Sequence, residues 1–124
     1  MLKIKRAYEK KPPGDGKRIY VDRLWPRGLT KEEVEFDEWL KDLSPTDDLR
    51  KWFGHEPDKF EEFRRRYLRE LADKAKQAQL KRIARIARDD DVTLVYSAKD
   101  IEHNNAVVLA ELIGKLMKEE AVAS

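Results

Sequence analysis

Val92-Thr93-Leu94-Val95-Tyr96-Ser97-Ala98-Lys99-Asp100-Ile101-Glu102-His103-Asn104-Asn105 is the stretch on which the fold turns. Its first five residues are rich in β-formers, and Asp89-Asp90-Asp91 breaks the chain just before them. Val92–Tyr96 therefore reads as the strongest strand of the sequence. Ser97-Ala98-Lys99-Asp100 is its exit loop, and a helix is expected from about Glu102 to Lys118. That helix is apolar over most of its girth, through Val107, Val108, Leu109, Leu112, Ile113 and Leu116. A helix of this kind belongs between a sheet and other helices, and a strand that hands over directly to it belongs to an α/β domain.

The rest of the chain extends this pattern. Leu2–Tyr8 alternates apolar and basic residues and reads as a strand. Glu9–Lys17 holds Pro12-Pro13-Gly14-Asp15-Gly16, which is loop chemistry. Arg18–Leu24, with Ile19, Tyr20 and Val21, is the second strand, and Trp25-Pro26-Arg27-Gly28 is a turn with Pro second and Gly fourth. Thr30-Lys31-Glu32-Glu33 is a capping box, and Phe36, Trp39, Leu40 and Leu43 then follow at helical spacing. Ser44-Pro45-Thr46-Asp47 opens a short helix, with Ser44 as its cap, that buries Leu49, Trp52 and Phe53 and stops at Gly54. Pro57 starts a long helix striped by Phe60, Phe63, Tyr67, Leu68 and Leu71, and another runs from about Lys76 to Arg88 with Leu80, Ile83, Ala84 and Ala87 inward. The expectation is one α/β domain over residues 1–124: a small, mostly parallel sheet covered by helices, three-layered and Rossmann-like.

Composition narrows the function classes. The chain has 124 residues, 27 Lys plus Arg and 25 Asp plus Glu, for a net charge of +2. With 40% hydrophobic residues, clustered and periodic, it is not a disordered chain despite being 42% charged. The absence of cysteine excludes disulfides, thiolate catalysis and cysteine-bound metals. No apolar run approaches a membrane span and no leader pattern opens the sequence, so a soluble cytoplasmic protein is expected. Scarce Asn and Gln beside abundant Lys, Glu and Arg resemble a thermophile's balance.

The small net charge hides an alternation of blocks: +6 over 1–29, −7 over 30–62, +8 over 64–88 and −5 over 89–124. The near-zero total favours blocks that neutralise one another within the fold. A nucleic-acid-binding surface on the basic helices of 64–88 is the competing expectation, weakened because no aromatic residues interleave to stack bases. A structural module whose charged blocks pair between subunits is a third, and the sequence leaves the oligomeric state open.

Two segments stand where open α/β sheets place ligands, at strand carboxyl ends. In Val21-Asp22-Arg23-Leu24-Trp25-Pro26-Arg27-Gly28, charged residues break a strand that should stay apolar, and Arg23 and Arg27 around a rigid turn suit a phosphate or carboxylate. An equally good account makes the segment a structural knot, with Asp22 paired to an arginine and Trp25 in the core. In Ser97–Asn105, both Asn residues of the chain stand side by side at a helix start. The plainer account there makes Asp100 the helix cap and the Asn side chains loop ties. His55 and His103 are the two histidines, each able to titrate near neutral pH. No metal-ligand spacing is present around them, and no G-x-G-x-x-G, P-loop, H-E-x-x-H or G-x-S-x-G occurs, so neither a metal nor a cofactor is expected.

The pieces Lys5–Tyr8, Val21–Gly28, Leu49–Phe53, Phe63–Tyr67 and Leu94–Asp100, followed by His103–Ala106, resemble the YeaO-like family, a group within domains of unknown function. The likeness spans nearly the whole chain. Longer, distant relatives look like parallel α/β domains that carry cysteine and histidine near the position of His103-Asn104, where this chain has no thiol. The resemblance implies that the first two strands run parallel, with the Glu9–Lys17 loop in place of a crossover helix.

Together these readings predict a cationic rim at the strand ends, formed by Arg6, Tyr8, Arg23, Trp25, Arg27, Ser97, Lys99, Asn104 and Asn105, that binds a small anionic ligand such as a phosphate compound or nucleotide. Were it an enzyme, Asp22, Asp100 and His103 would be the acid–base candidates of a hydrolase or transferase. The sequence does not decide whether any reaction occurs.

Overall fold

The computed structural model describes residues 1–9 and 13–123, and within them an all-parallel four-stranded sheet. The strands are β1 (Leu2–Arg6), β2 (Lys17–Tyr20), β3 (Glu38–Trp39) and β4 (Val92–Tyr96), in the order β1-β4-β2-β3. β4 is central: Leu2 faces Val92 on one side and Lys17 faces Val92 on the other. All five of its residues are buried, which is why it reads as a continuous apolar run. The first two strands are parallel, and β4 lies between them.

The helices are α1 (Lys31–Val34), α2 (Asp47–Phe53), α3 (Phe60–Glu70), α4 (Lys74–Asp89) and α5 (Asn105–Ala123). Ile19, Val21, Val92, Leu94 and Tyr96 point into the main core, against Phe60, Phe63 and Tyr67 of α3, Leu80 and Ile83 of α4, and Leu109 and Ile113 of α5. Leu68 departs from the expected stripe and is exposed. The opposite face is covered thinly. Tyr20 and Val95 there meet Val34 of α1 together with Phe36 and Trp39, and no long helix is needed. The two coverings are therefore unequal layers around one sheet.

The expected helix through Leu43 ends after one turn. Its capping box forms as read, with Thr30 Oγ1 accepting from the Glu33 amide and Glu33 Oε1 accepting from the Thr30 amide. Glu35 then turns left-handed at φ 44°, and Trp39 enters β3. The reason is packing: Phe36 and Trp39 belong to one face of the sheet, whereas Leu40 and Leu43 belong to the main core on the other. A single helical stripe cannot serve both faces. Other boundaries shift: β1 ends at Arg6 and β2 at Tyr20, so Asp22 and Arg23 stand beyond the strand rather than in it, and α3 begins at Phe60 after a 3-10 turn at Pro57–Lys59. Thr46 rather than Ser44 caps α2, accepting from the Leu49 amide, while Gly54 ends it at φ 54° as its position implied. The turn after β2 closes from Leu29 N–H to Pro26 O, placing Gly28 third at φ 81°. α5 begins at Asn105, capped by Asn104 Oδ1, which accepts from the Val107 amide.

The connection from β1 to β2 replaces a helix with a polar plug. Within the Glu9–Lys17 loop, residues 10–12 lie outside the described residues, and Pro13–Asp15 form a 3-10 turn. Asp15 and Arg18 are 0% and 1% exposed. The Asp15 carboxylate accepts from Arg18 Nη1 and from Lys5 Nζ, each at 2.5 Å. Arg18 Nε and Nη2 donate to the carbonyls of Glu35 and Val34, and Thr93 Oγ1 donates to the Asp15 carbonyl. Every charge here has a partner, as burial demands.

Among the described residues no helix is long and apolar enough to cross a membrane.

Candidate functional site

The parallel register brings the carboxyl ends of β2 and β4 side by side, and a cleft of about 170 Å³ opens there. Asp22 and Arg23 leave β2 into it, Ser97 and Ala98 leave β4, and Asn104 and Asn105 stand at the start of α5. Pro45, Arg50, Phe53 and His55 close it from α2 and its flanks, with Phe63 of α3 behind and Leu24 at its edge. Phe53 and Phe63 stack at 4.4 Å between ring centroids, so the back wall is aromatic.

Asp22 binds β4 rather than an arginine. Its Oδ2 accepts from the Ser97 amide at 2.8 Å and from Ser97 Oγ at 2.6 Å. Burial raises the pKa of the Tyr20 and Tyr67 hydroxyls, and the negative charge of Asp22 adds to the rise in both. These phenols stay protonated, donating to the carbonyls of Leu24 and Leu43.

Two cations share the lining with this carboxylate. Arg23 Nε reaches Pro45 O at 3.3 Å and approaches Asp47 at 3.9 Å. Arg50 Nη2 contacts the same Asp47 oxygen at 3.2 Å. Arg50 Nε is buried and has no hydrogen-bond partner. His55 adopts a left-handed backbone at φ 59° directly after Gly54. This paired left-handed turn ends α2 and sets His55 at the cleft.

The sequence-derived residues divide into two groups. Asp22, Arg23, Ser97, Asn104 and Asn105 line the cleft. Within it, Asn104 Nδ2 donates to Asp100 O and Asn105 Nδ2 to Val21 O, so both amides also tie loops together. The others lie outside its lining. Arg6 Nε donates to Ala98 O, and its guanidinium lies 4.8 Å from the Tyr8 ring centroid. Tyr8 in turn donates to Arg27 O, whose side chain is exposed, so Arg27 does not join Arg23 as a pair. Trp25 packs against Phe36 and Trp39 on the far face of the sheet and remains 36% exposed. Lys99 is exposed. Asp100 accepts from the Glu102 and His103 amides and contacts His103 Nδ1 at 2.9 Å, and those contacts, the Glu102 amide first, hold its carboxyl below the usual range. The His103 ring meets Phe60 edge-on at 5.2 Å. Sequence reasoning missed Arg50, Phe53 and Phe63 as lining residues, because helical spacing marked the two phenylalanines as core and gave Arg50 no distinction from other surface cations. Among the described residues no three metal-ligating side chains gather.

The basic block of 64–88 is largely engaged within the fold. Arg64 pairs with Glu111, Arg65 and Arg66 with Glu62, and Arg82 with both oxygens of Glu38. Those acids come from the neighbouring negative blocks.

Sequence similarity to known proteins spans the whole chain. The family described as the inactive DUF488-N3 subclade matches residues 1–124. The chain belongs to this family. It is 44% identical to the uncharacterized protein YeaO of Escherichia coli over 115 residues, which is 93% of this chain and 98% of that one. It is 38% identical over 112 residues to the uncharacterized proteins Mb3100c of Mycobacterium bovis and Rv3073c of Mycobacterium tuberculosis, covering 90% of this chain and 92% of each. No solved structure matches it significantly.

Proposed function

We propose that the cleft between β2, β4 and α2 binds a small organic anion without transforming it. The observation that carries this reading is the cleft-lining pair Arg23 and Arg50, with the buried Nε–H of Arg50 lacking an acceptor. A buried donor left unmade costs about 1–3 kcal/mol, which an incoming carboxylate or phosphate oxygen would recover. The volume, about 170 Å³, is well below the roughly 300–1,000 Å³ of sites for drug-sized ligands and favours a fragment-sized anion over a nucleotide. Binding without turnover is supported by the family's description as inactive. It is supported too by the acid–base candidates, since Asp22 is held by Ser97 and Asp100 by its own loop and His103.

A thermal-shift series with inorganic phosphate, acetate, benzoate and adenosine monophosphate tests this. Ligand at a hundred times its dissociation constant adds about 2.7 kcal/mol, a visible rise in melting temperature. The expected result is a shift with a small carboxylate or phosphate that disappears in both Arg23→Ala and Arg50→Gln. Shifts that survive both substitutions would sink the proposal.

One observation favours a second reading. Lys74, Lys81 and Arg85 line an open groove on α4 of about 430 Å³, a place for nucleic-acid phosphates. That reading predicts binding to short DNA or RNA that weakens steeply with salt and with Lys81→Glu, and that ignores Arg50→Gln.

A further inference from the structure

The charge balance of the cleft narrows the ligand class beyond an anion, and this step rests on the binding proposed above. Arg23 and Arg50 contribute two positive charges, Asp47 approaches both, and Asp22 places a negative charge on the same lining. A simple anion seated on the arginines would therefore share the cleft with the Asp22 carboxylate. That carboxylate is only partly used: both hydrogen bonds from Ser97 fall on Oδ2, with the Tyr20 hydroxyl as its other side-chain neighbour. A carboxylate has about four lone-pair sites, so acceptor capacity remains on the lining that Asp22 shares with Arg50. The back wall supplies the third requirement. Phe53 and Phe63 stack there and give the cleft an apolar wall for a ligand side chain.

We infer that the cleft is built for a zwitterion with an apolar body, an α-amino acid whose side chain is of leucine or phenylalanine size. The ligand carboxylate meets Arg23 and Arg50, its ammonium group donates to the Asp22 carboxylate, and its side chain lies against Phe53 and Phe63. Neither a purely anionic nor a purely cationic ligand satisfies both charged sets, and a polar side chain would lose its hydration against the aromatic wall.

Isothermal titration calorimetry with L-phenylalanine, 3-phenylpropionate and phenethylamine separates the alternatives, because the last two each lack one of the charged groups. A charge-assisted hydrogen bond contributes about 1.5–3 kcal/mol. L-Phenylalanine should accordingly bind at least about tenfold tighter than either analogue. Asp22→Asn keeps an oxygen for Ser97 and should level L-phenylalanine with 3-phenylpropionate. Arg50→Gln should weaken both. If 3-phenylpropionate binds the native protein as tightly as L-phenylalanine, the inference is overturned while the anion site stands. If none of the three binds but benzoate or phosphate does, the zwitterion is likewise overturned, and silence from every probe removes both readings. The comparison of the three ligands on the native protein decides the matter even if Asp22→Asn does not fold.

Discussion

The two ends of β2 use the same residue types to opposite effect. At its start, Asp15, Arg18 and Lys5 form a buried set in which the carboxylate accepts from two cations and the guanidinium donates to two carbonyls besides. Beyond its end, Asp22, Arg23 and Arg50 surround a cleft, and there the buried Arg50 Nε–H has no acceptor. Charge burial alone does not distinguish the two ends: the first closes its hydrogen-bonding capacity within the protein, and the second leaves a buried donor open, as Arg64 Nε on α3 also is.

Removing one member of the closed set gives the largest expected effect. Arg18→Met leaves Asp15 buried with Lys5 as its remaining cation, and breaking a buried pair in this way costs about 3–5 kcal/mol. Urea denaturation of the variant checks it, and a loss below 1 kcal/mol would mean that the plug is not closed as described. Gly16→Ala comes next. Gly16 has φ 63°, and a Cβ there would lie 2.1 Å from the Asp91 carbonyl oxygen, so strand β4 and the plug must separate. Strain of this kind costs about 1–3 kcal/mol, read as a lowered melting temperature.

Acid gives a graded version of the same test. Burial alone would raise the Asp15 pKa, but the hydrogen bonds from Lys5 and Arg18 outweigh it, and the carboxyl is held below its ordinary 3.8. A depressed carboxylate stabilises the fold above the unfolded-state value and loses that contribution as the pH drops through the folded-state value. Stability should therefore fall below about pH 4, and Asp15→Asn, though less stable, should fall less steeply over the same range. Equal slopes in urea midpoints from pH 5 to pH 2 would contradict the account. The smallest stability effect belongs to the open end: Arg50→Gln removes only a partly exposed pair with Asp47 and should cost under about 1 kcal/mol, while abolishing the ligand-induced shift.

How much of this the sequence carries depends on range. β4, α4, the Thr30 capping box and the stop at Gly54 are written in local patterns, and the structure keeps them. Strand carboxyl ends located the cleft through Asp22, Arg23, Ser97 and the two asparagines. What escaped was everything set by contact between distant segments. Phe36 and Leu43 share a helical spacing but serve opposite faces of the sheet. Arg18, whose burial no local pattern signals, is enclosed because it pairs with Asp15 of the preceding loop. Arg23 finds its companion in Arg50 on α2 rather than in Arg27 four residues away, since the turn at Pro26–Leu29 sends Arg27 toward Tyr8.

The most direct test of the open-versus-closed contrast is the side-chain Nε–H resonances of the arginines, followed by NMR during titration with L-phenylalanine. The Nε–H signals of Arg50 and Arg23 should move with ligand while that of Arg18 stays fixed. Movement confined to arginines of α3 and α4, or a shift of Arg18 equal to that of Arg50, would contradict it.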